Sequence, residues 1–240
     1  ATHFEIEQRL DGHTEGTPGS IAYNWALAQI DPDAVRWTKR THVEEIAEMA
    51  SLCAAAWDTG ISPSVPRGGV IEEKFDHTFG EVEGYTLRLT GTPDYVTPKD
   101  IWDWKTSSRE YKPWEKQRWE IQPTAYGWIH SLGILSTTAP MPSTFRYGVM
   151  VKPKNPKGAV ETQIVTVTRT NGDAAWLVKR MENFARLGLR ALDVNWPQID
   201  SSNHLCSSQW CPWWSMCKGA HVNEATYKTP SQTIPSPHRR

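Results

Sequence analysis

Apolar positions along the chain recur with two periods. Between Asp33 and Trp57 they return every three or four residues (Val43, Ile46, Met49, Ala50, Cys53) with acidic residues between them, which predicts an amphipathic helix. The segment DTGISPSVPRGG then stops it. A period of two takes over in three runs: VIEEKFDHTF, then YTLRLTGTPDYV after a turn near Gly80–Gly84, then IWDWKT after a short TPKD connection. In the second run Leu87 and Leu89 alternate with Arg88 and Thr90. Helical character returns in PWEKQRWEIQPTAYGWIHSLG, where Pro123 must start or kink a helix. STFRYGVMV and AVETQIVTVTR read as two more strands joined through KPKNPKG, and GDAAWLVKRMENFARLGLRAL as a strong amphipathic helix.

The ends are less regular. Residues 1–33 read as an N-terminal extension, with a loop at DGHTEGTPGS and a short helix at IAYNWALAQI. Residues 223–240, rich in Thr, Ser and Pro, are expected to be a disordered tail. The order helix, three strands, helix, two strands, helix predicts an α/β fold, a mixed sheet covered by helices.

Composition narrows the function classes. A chain of 240 residues fits one domain with elaborations, and its net charge of −1 gives no global basic field. Polyanion binding would have to come from local clusters. The strongest is SSREYKPWEKQRW, which interleaves Arg109, Lys112, Lys116 and Arg118 with Tyr111, Trp114 and Trp119. Such a mixture suits phosphate pairing and base stacking on a single strand, although a solvated loop with core-anchoring tryptophans fits equally. No apolar run reaches membrane-spanning length and no signal peptide is visible, so no membrane partner and a cytoplasmic setting are expected.

Four cysteines are present, unevenly placed. Cys53 stands alone, whereas Cys206, Cys211 and Cys217 crowd into HLCSSQWCPWWSMC at intervals of four and five residues, which points to soft-metal coordination rather than a disulfide. His204 would complete a local zinc site.

The chemistry concentrates in LTGTPDYVTPKDIWDWKTSS, from Leu89 to Ser108. If its two strands pair as a hairpin, Asp94 and Asp103 converge on one hard cation, which prefers oxygen ligands. Lys105, two residues beyond Asp103, emerges on the same face and can orient water or neutralise a phosphate. Trp104 points the other way into packing, while its backbone carbonyl can still reach the metal. Upstream, alternation lets only one of Glu72 and Glu73 face the site. A polar hairpin rim would explain Asp-x-Lys alone.

GTPDYV, DWKT and QPTAY together resemble the RecB-type branch of the PD-(D/E)XK nuclease superfamily, which includes CRISPR-associated RecB-like exonucleases and many phage recombination exonucleases. The resemblance covers roughly residues 40–220. It implies a restriction-endonuclease-like core at 34–200, a cysteine-rich metal knuckle at 201–222, and a DNA exonuclease using Mg²⁺ or Mn²⁺, two ions in all. It makes Asp94 and Asp103 metal ligands, Lys105 the catalytic lysine, and places Gln122 and Tyr126 where they hold the DNA strand or scissile end. It also implies a 4Fe–4S cluster on Cys206, Cys211 and Cys217 with Cys53 as fourth ligand, in competition with zinc on His204. DNA with a free end or a single strand is the implied substrate, with a helicase or annealing protein as a partner and a role in recombination or repair in a bacterial or phage setting. The branch often carries Gly-x-x-x-His on a helix before the strands. EGTPGSIAYNWAL has the glycines without the histidine, and His13 and His42 match poorly. That gap leaves room for a structure-specific endonuclease or for a catalytically silent DNA-binding or assembly module.

Overall fold

The computed structural model describes residues 1–13, 16–30, 42–155 and 158–193, with side chains at all of these except Trp119 and 190–193. All of the elements lie within one compact unit, Ala1–Arg180, except the end of the last helix. Three helices come first, α1 (Thr2–Leu10), α2 (Ser20–Gln29) and α3 (Val43–Gly60). Seven strands follow, interrupted by helices α4 (Pro113–Trp119) and α5 (Gln122–Ser131) and closed by α6 (Asn171–Asp193).

Five strands form the central sheet in the order β1-β4-β5-β6-β7, namely Val70–Ile71, Tyr95–Val96, Asp100–Ser107, Ser143–Val151 and Glu161–Arg169. The β5–β6 pair is parallel and every other pair antiparallel, so the sheet is mixed. A separate ribbon pairs β2 (Phe75–Val82) with β3 (Tyr85–Gly91).

Alternation along β5 divides the core. Trp102 and Trp104 join Ile6, Cys53, Trp57, Ile61 and Met150 on the face covered by α1 and α3. Trp104 stacks edge-on against Trp57, with ring centroids 5.6 Å apart. Gly148 on β6 leaves the space that ring needs: a Cβ there would sit 2.7 Å from it. Ile101 shares the opposite face with Phe145, Tyr147, Val149, Val165, Val167 and Ile129 of α5. Asp103 and Lys105 have the parity of Ile101, so the first is driven into this second layer and the second lies at its edge.

Two of the expected strands are cut. VIEEKFDHTF breaks at Glu72, whose backbone turns to φ +45°, a conformation that costs free energy in a residue with a side chain. YTLRLTGTPDYV is also two strands, β3 in the ribbon and β4 in the main sheet, with the GTPD turn between them. Glu72 and Glu73 therefore follow a strand end, and simple alternation does not govern them.

Helix α1 is built into the core layer through Ile6. Glu5 of α1 is fully buried and accepts three hydrogen bonds, from Arg9 Nε at 2.8 Å and from the backbone N–H groups of Gly19 (2.7 Å) and Ala22 (2.8 Å). The two amides belong to the N-terminus of α2, whose first N–H groups have no partner within the helix. One carboxylate thus locks α1 to α2. Among the described residues, no helix is long and apolar enough to cross a membrane.

Candidate functional site

The β4–β5 hairpin brings the opening motif together. Tyr95 faces Trp102 across the pair, which sets Asp94 beside the Asp103–Trp104 step. Asp94 Oδ2 accepts the Trp104 backbone N–H at 2.6 Å. Lys105 Nζ lies 2.6 Å from Asp103 Oδ2, and Gln122, the first residue of α5, donates its side-chain amide to Asp103 Oδ1 at 2.9 Å. The two aspartates and the lysine thus share one corner of the sheet.

Helix α1 adds two residues that the motif search passed over. His3 Nδ1 is 3.7 Å from Asp94 Oδ2, and its ring is within hydrogen-bonding reach of the Trp104 backbone carbonyl. Glu7, one turn further along the same face, lies beside the Glu72 carboxyl. The signal was available as His3-x-x-x-Glu7, an i,i+4 pair beside the apolar Ile6, in a segment too short to show a convincing period. Glu72, which is exposed, therefore faces the site. Glu73 does not: its Oε1 accepts the Ser136 N–H (2.6 Å) and hydroxyl.

Burial and crowding set the charge states. Asp103 is 2% exposed, and burial, then the nearby Asp94 charge, push its carboxyl up to about 6 against the pull of Lys105. Burial raises Asp94 as well, opposed by the Trp104 N–H. Burial and the Glu72 charge push Glu7 up to about 7. Burial holds His3 below the usual histidine range, with Lys105 adding to the effect, so its ring is neutral and keeps a lone pair. Burial works against charge on Lys105, but Asp103 and Asp94 outweigh it and its pKa rises.

A divalent ion would relieve the three acids with raised pKa values, and the neutral imidazole has a lone pair to offer it. Asp103 Oδ2 is buried and accepts no hydrogen bond of good geometry, since the Lys105 ammonium beside it is poorly aligned. Among the described residues no three His, Cys, Asp or Glu side chains already close around a point. Asp94 and Asp103 are turned to Trp104, Gln122 and Lys105. The donor set fits a hard cation.

The pH dependence follows in sign. A carboxyl whose pKa is raised on folding stabilises the fold fully below its unfolded value, and that contribution is lost as pH rises through the folded value. For Asp103 the window runs from 3.8 to about 6, and for Glu7 from 4.5 to about 7. The melting temperature of the metal-free protein, minus that of Asp103→Asn, should therefore fall between about pH 4 and 6. Mn²⁺ at pH 8 should restore it. Scanning calorimetry with and without the ion checks both.

Gln122 and Tyr126 are half-buried and both reach the hairpin. Gln122 orients Asp103, while the Tyr126 hydroxyl donates to the Thr92 carbonyl at 3.3 Å and so holds the GTPD turn. The motif glycine has a related purpose. A Cβ on Gly91 would lie 2.8 Å from both the Phe75 and Tyr126 rings, which pack edge to face at 5.7 Å. Gly91→Ala is expected to destabilise the protein by about 1–3 kcal/mol and to slow cleavage about tenfold by shifting the turn before Asp94. Melting curves and initial rates report the two effects separately.

The basic loop divides similarly. Arg109, Lys112 and Trp114 are exposed, Trp114 to 58%, and Arg118 is exposed on α4. Lys116 is half-buried, paired with Glu120 and 3.8 Å over the Tyr111 ring. Cys206, Cys211, Cys217 and His204 lie outside the described residues. Cys53 has the surroundings of a small apolar core residue: it is 1% exposed among Ile6, Trp57 and Met150, and burial pushes its thiol up to about 11, unfavourable for a metal-binding thiolate.

The fold is similar to a crystal structure of a candidate exonuclease from Eubacterium rectale, with a TM-score of 0.47 and 14% identity over 92% of this chain and 82% of that one. No curated protein matches the sequence. The sequence profile of a nuclease family matches residues 23–218, which take in the whole β4–β5 hairpin and the helix carrying Gln122, and on that match the chain belongs to the PD-(D/E)XK nuclease superfamily.

Proposed function

We propose that the protein is a divalent-metal-dependent DNA exonuclease of the RecB-like branch, acting in recombination or repair. The observation that carries the reading is the meeting of Asp94, Asp103 and Lys105 with His3 from α1. Nucleases of this superfamily typically use Mg²⁺ or Mn²⁺. Asp94, Asp103, the Trp104 carbonyl and His3 would hold the ion, with Glu7 and Glu72 at its outer side. When bound, such an ion neutralises phosphate charge and acidifies water.

The chain's own groups do the rest. Lys105 keeps its ammonium charged beside Asp103, where it can orient water for in-line attack on phosphorus. The P–O3′ bond breaks and a 5′ phosphate is left on the product. Gln122 donates its side-chain amide to the Asp103 carboxylate. Arg109, Lys112 and Trp114 form the proposed contact to a strand with a free end, with Arg118 beside them.

His3 weakens the case for a silent module, because a helix histidine does reach the carboxylates. The C-terminal thiols are proposed to bind a structural metal, zinc or an iron–sulfur cluster. The core position of Cys53 favours His204 as the fourth ligand.

Linear and closed circular DNA, each incubated with Mg²⁺, Mn²⁺ or chelator, provide the test. Degradation of linear DNA alone, in a metal-dependent manner, is expected. Cleavage of circles would move the reading to an endonuclease, and no cleavage of either with either metal would overturn it.

A further inference from the structure

The edge strand β7 grips the segment that leads from Lys105 to Gln122. Gln163 on β7 holds Tyr111 by both main-chain groups, accepting its N–H and donating to its carbonyl at 2.9 Å each. Gln117 of α4 does the reverse to the strand, donating to the Thr168 carbonyl (2.9 Å) and accepting the Thr168 N–H (3.1 Å). The tightest hold is Arg169, the last residue of β7 and 3% exposed. Its Nε donates to Thr124 Oγ1 at 2.8 Å, and its Nη2 to the carbonyls of Lys116 (3.1 Å) and Glu120 (3.0 Å).

Glu120 and Thr124 lie two residues either side of Gln122, whose amide orients Asp103. We propose that Arg169 is a positioning residue of the catalytic site, setting the α4–α5 corner so that Gln122 meets the Asp103 carboxylate. The role rests on the nuclease reading for its effect on rate, though the geometric link stands apart from it. Only a planar guanidinium has enough fixed donors to reach a hydroxyl and two carbonyls at once; a lysine has one ammonium and no fork. A mere strut would have satisfied the Glu120 carbonyl alone. Arg169 instead binds both flanks of Gln122, the side chain that donates to Asp103 Oδ1.

The test uses the full chain, with the Gln122 side-chain amide signal followed by ¹⁵N NMR and assigned by its loss in Gln122→Ala. Arg169→Lys is expected to shift that signal. It should lower kcat about tenfold with KM within about twofold, measured well below the melting temperature. The double variant with Gln122→Ala should be no slower than Gln122→Ala alone, because both act through one contact. An unmoved Gln122 signal, or rate losses that multiply, would overturn the proposal. If Arg169→Lys does not fold, Thr124→Val removes one acceptor of the guanidinium and is read in the same way. Should the wild-type protein cleave no DNA, the nuclease reading fails, and the NMR signal alone decides the role of Arg169.

Discussion

Asp103→Asn is expected to abolish DNA cleavage, a loss of about 10³-fold or more, while making the metal-free protein more stable to heat. The two effects have one cause. The buried carboxylate is kept on β5 against desolvation and against the charge of Asp94, and its pKa of about 6 records that cost. At pH 8 an acid raised this far disfavours the fold by on the order of 3 kcal/mol, and an uncharged amide of the same shape removes that penalty. Loss of the Lys105 pairing offsets part of the gain, so about 1–3 kcal/mol of net stabilisation is expected. Lys105→Ala should also abolish cleavage but have the opposite thermal effect, since it leaves Asp103 without its cation. Calorimetry of both variants in chelator, beside rates in Mg²⁺, checks the pair. A fall in the melting temperature of Asp103→Asn would contradict an electrostatically strained site.

Glu5→Ala should be among the most damaging single changes, at about 3–5 kcal/mol or a melting temperature lower by about 10 °C. The carboxylate is fully buried and engages three donors. Removing it strands the Arg9 guanidinium, which is itself buried, and two amides at the start of α2. Glu5→Gln retains the shape and one acceptor oxygen, so a smaller loss is expected. Because α1 also carries His3, Glu5→Ala should lower activity near the melting temperature, whereas His3→Ala should lower it with the fold intact. Chemical denaturation of the three variants separates these cases.

The core of the β4–β5 hairpin was legible because its signals are local. A strand period of two puts Asp103 and Lys105 on one side and Trp102 and Trp104 on the other, whatever the surroundings. The positions of β6, β7 and α6 followed in the same way from unbroken runs of alternating or helical pattern. The choice between Glu72 and Glu73 was not legible, because a single left-handed residue ends β1 and resets the alternation, and composition gives no warning of φ +45° at a glutamate. The contacts of Lys116 and Tyr126 were equally hidden. Each depends on partners far along the chain or across it, Tyr147 beneath Lys116 and the Thr92 carbonyl facing Tyr126.

What the sequence determined by itself is therefore the arrangement within one strand, with Asp103 and Lys105 on a shared face. Spacing along a strand is enough for that. Only the tertiary structure decided what surrounds them. It brought His3 and Glu7 from a helix some ninety residues earlier, and it set Gln122 on Asp103 under the hold of Arg169. Those meetings are fixed by the packing of α1 on the sheet and of α4 on its edge, and packing is a property of the whole core rather than of any segment's period.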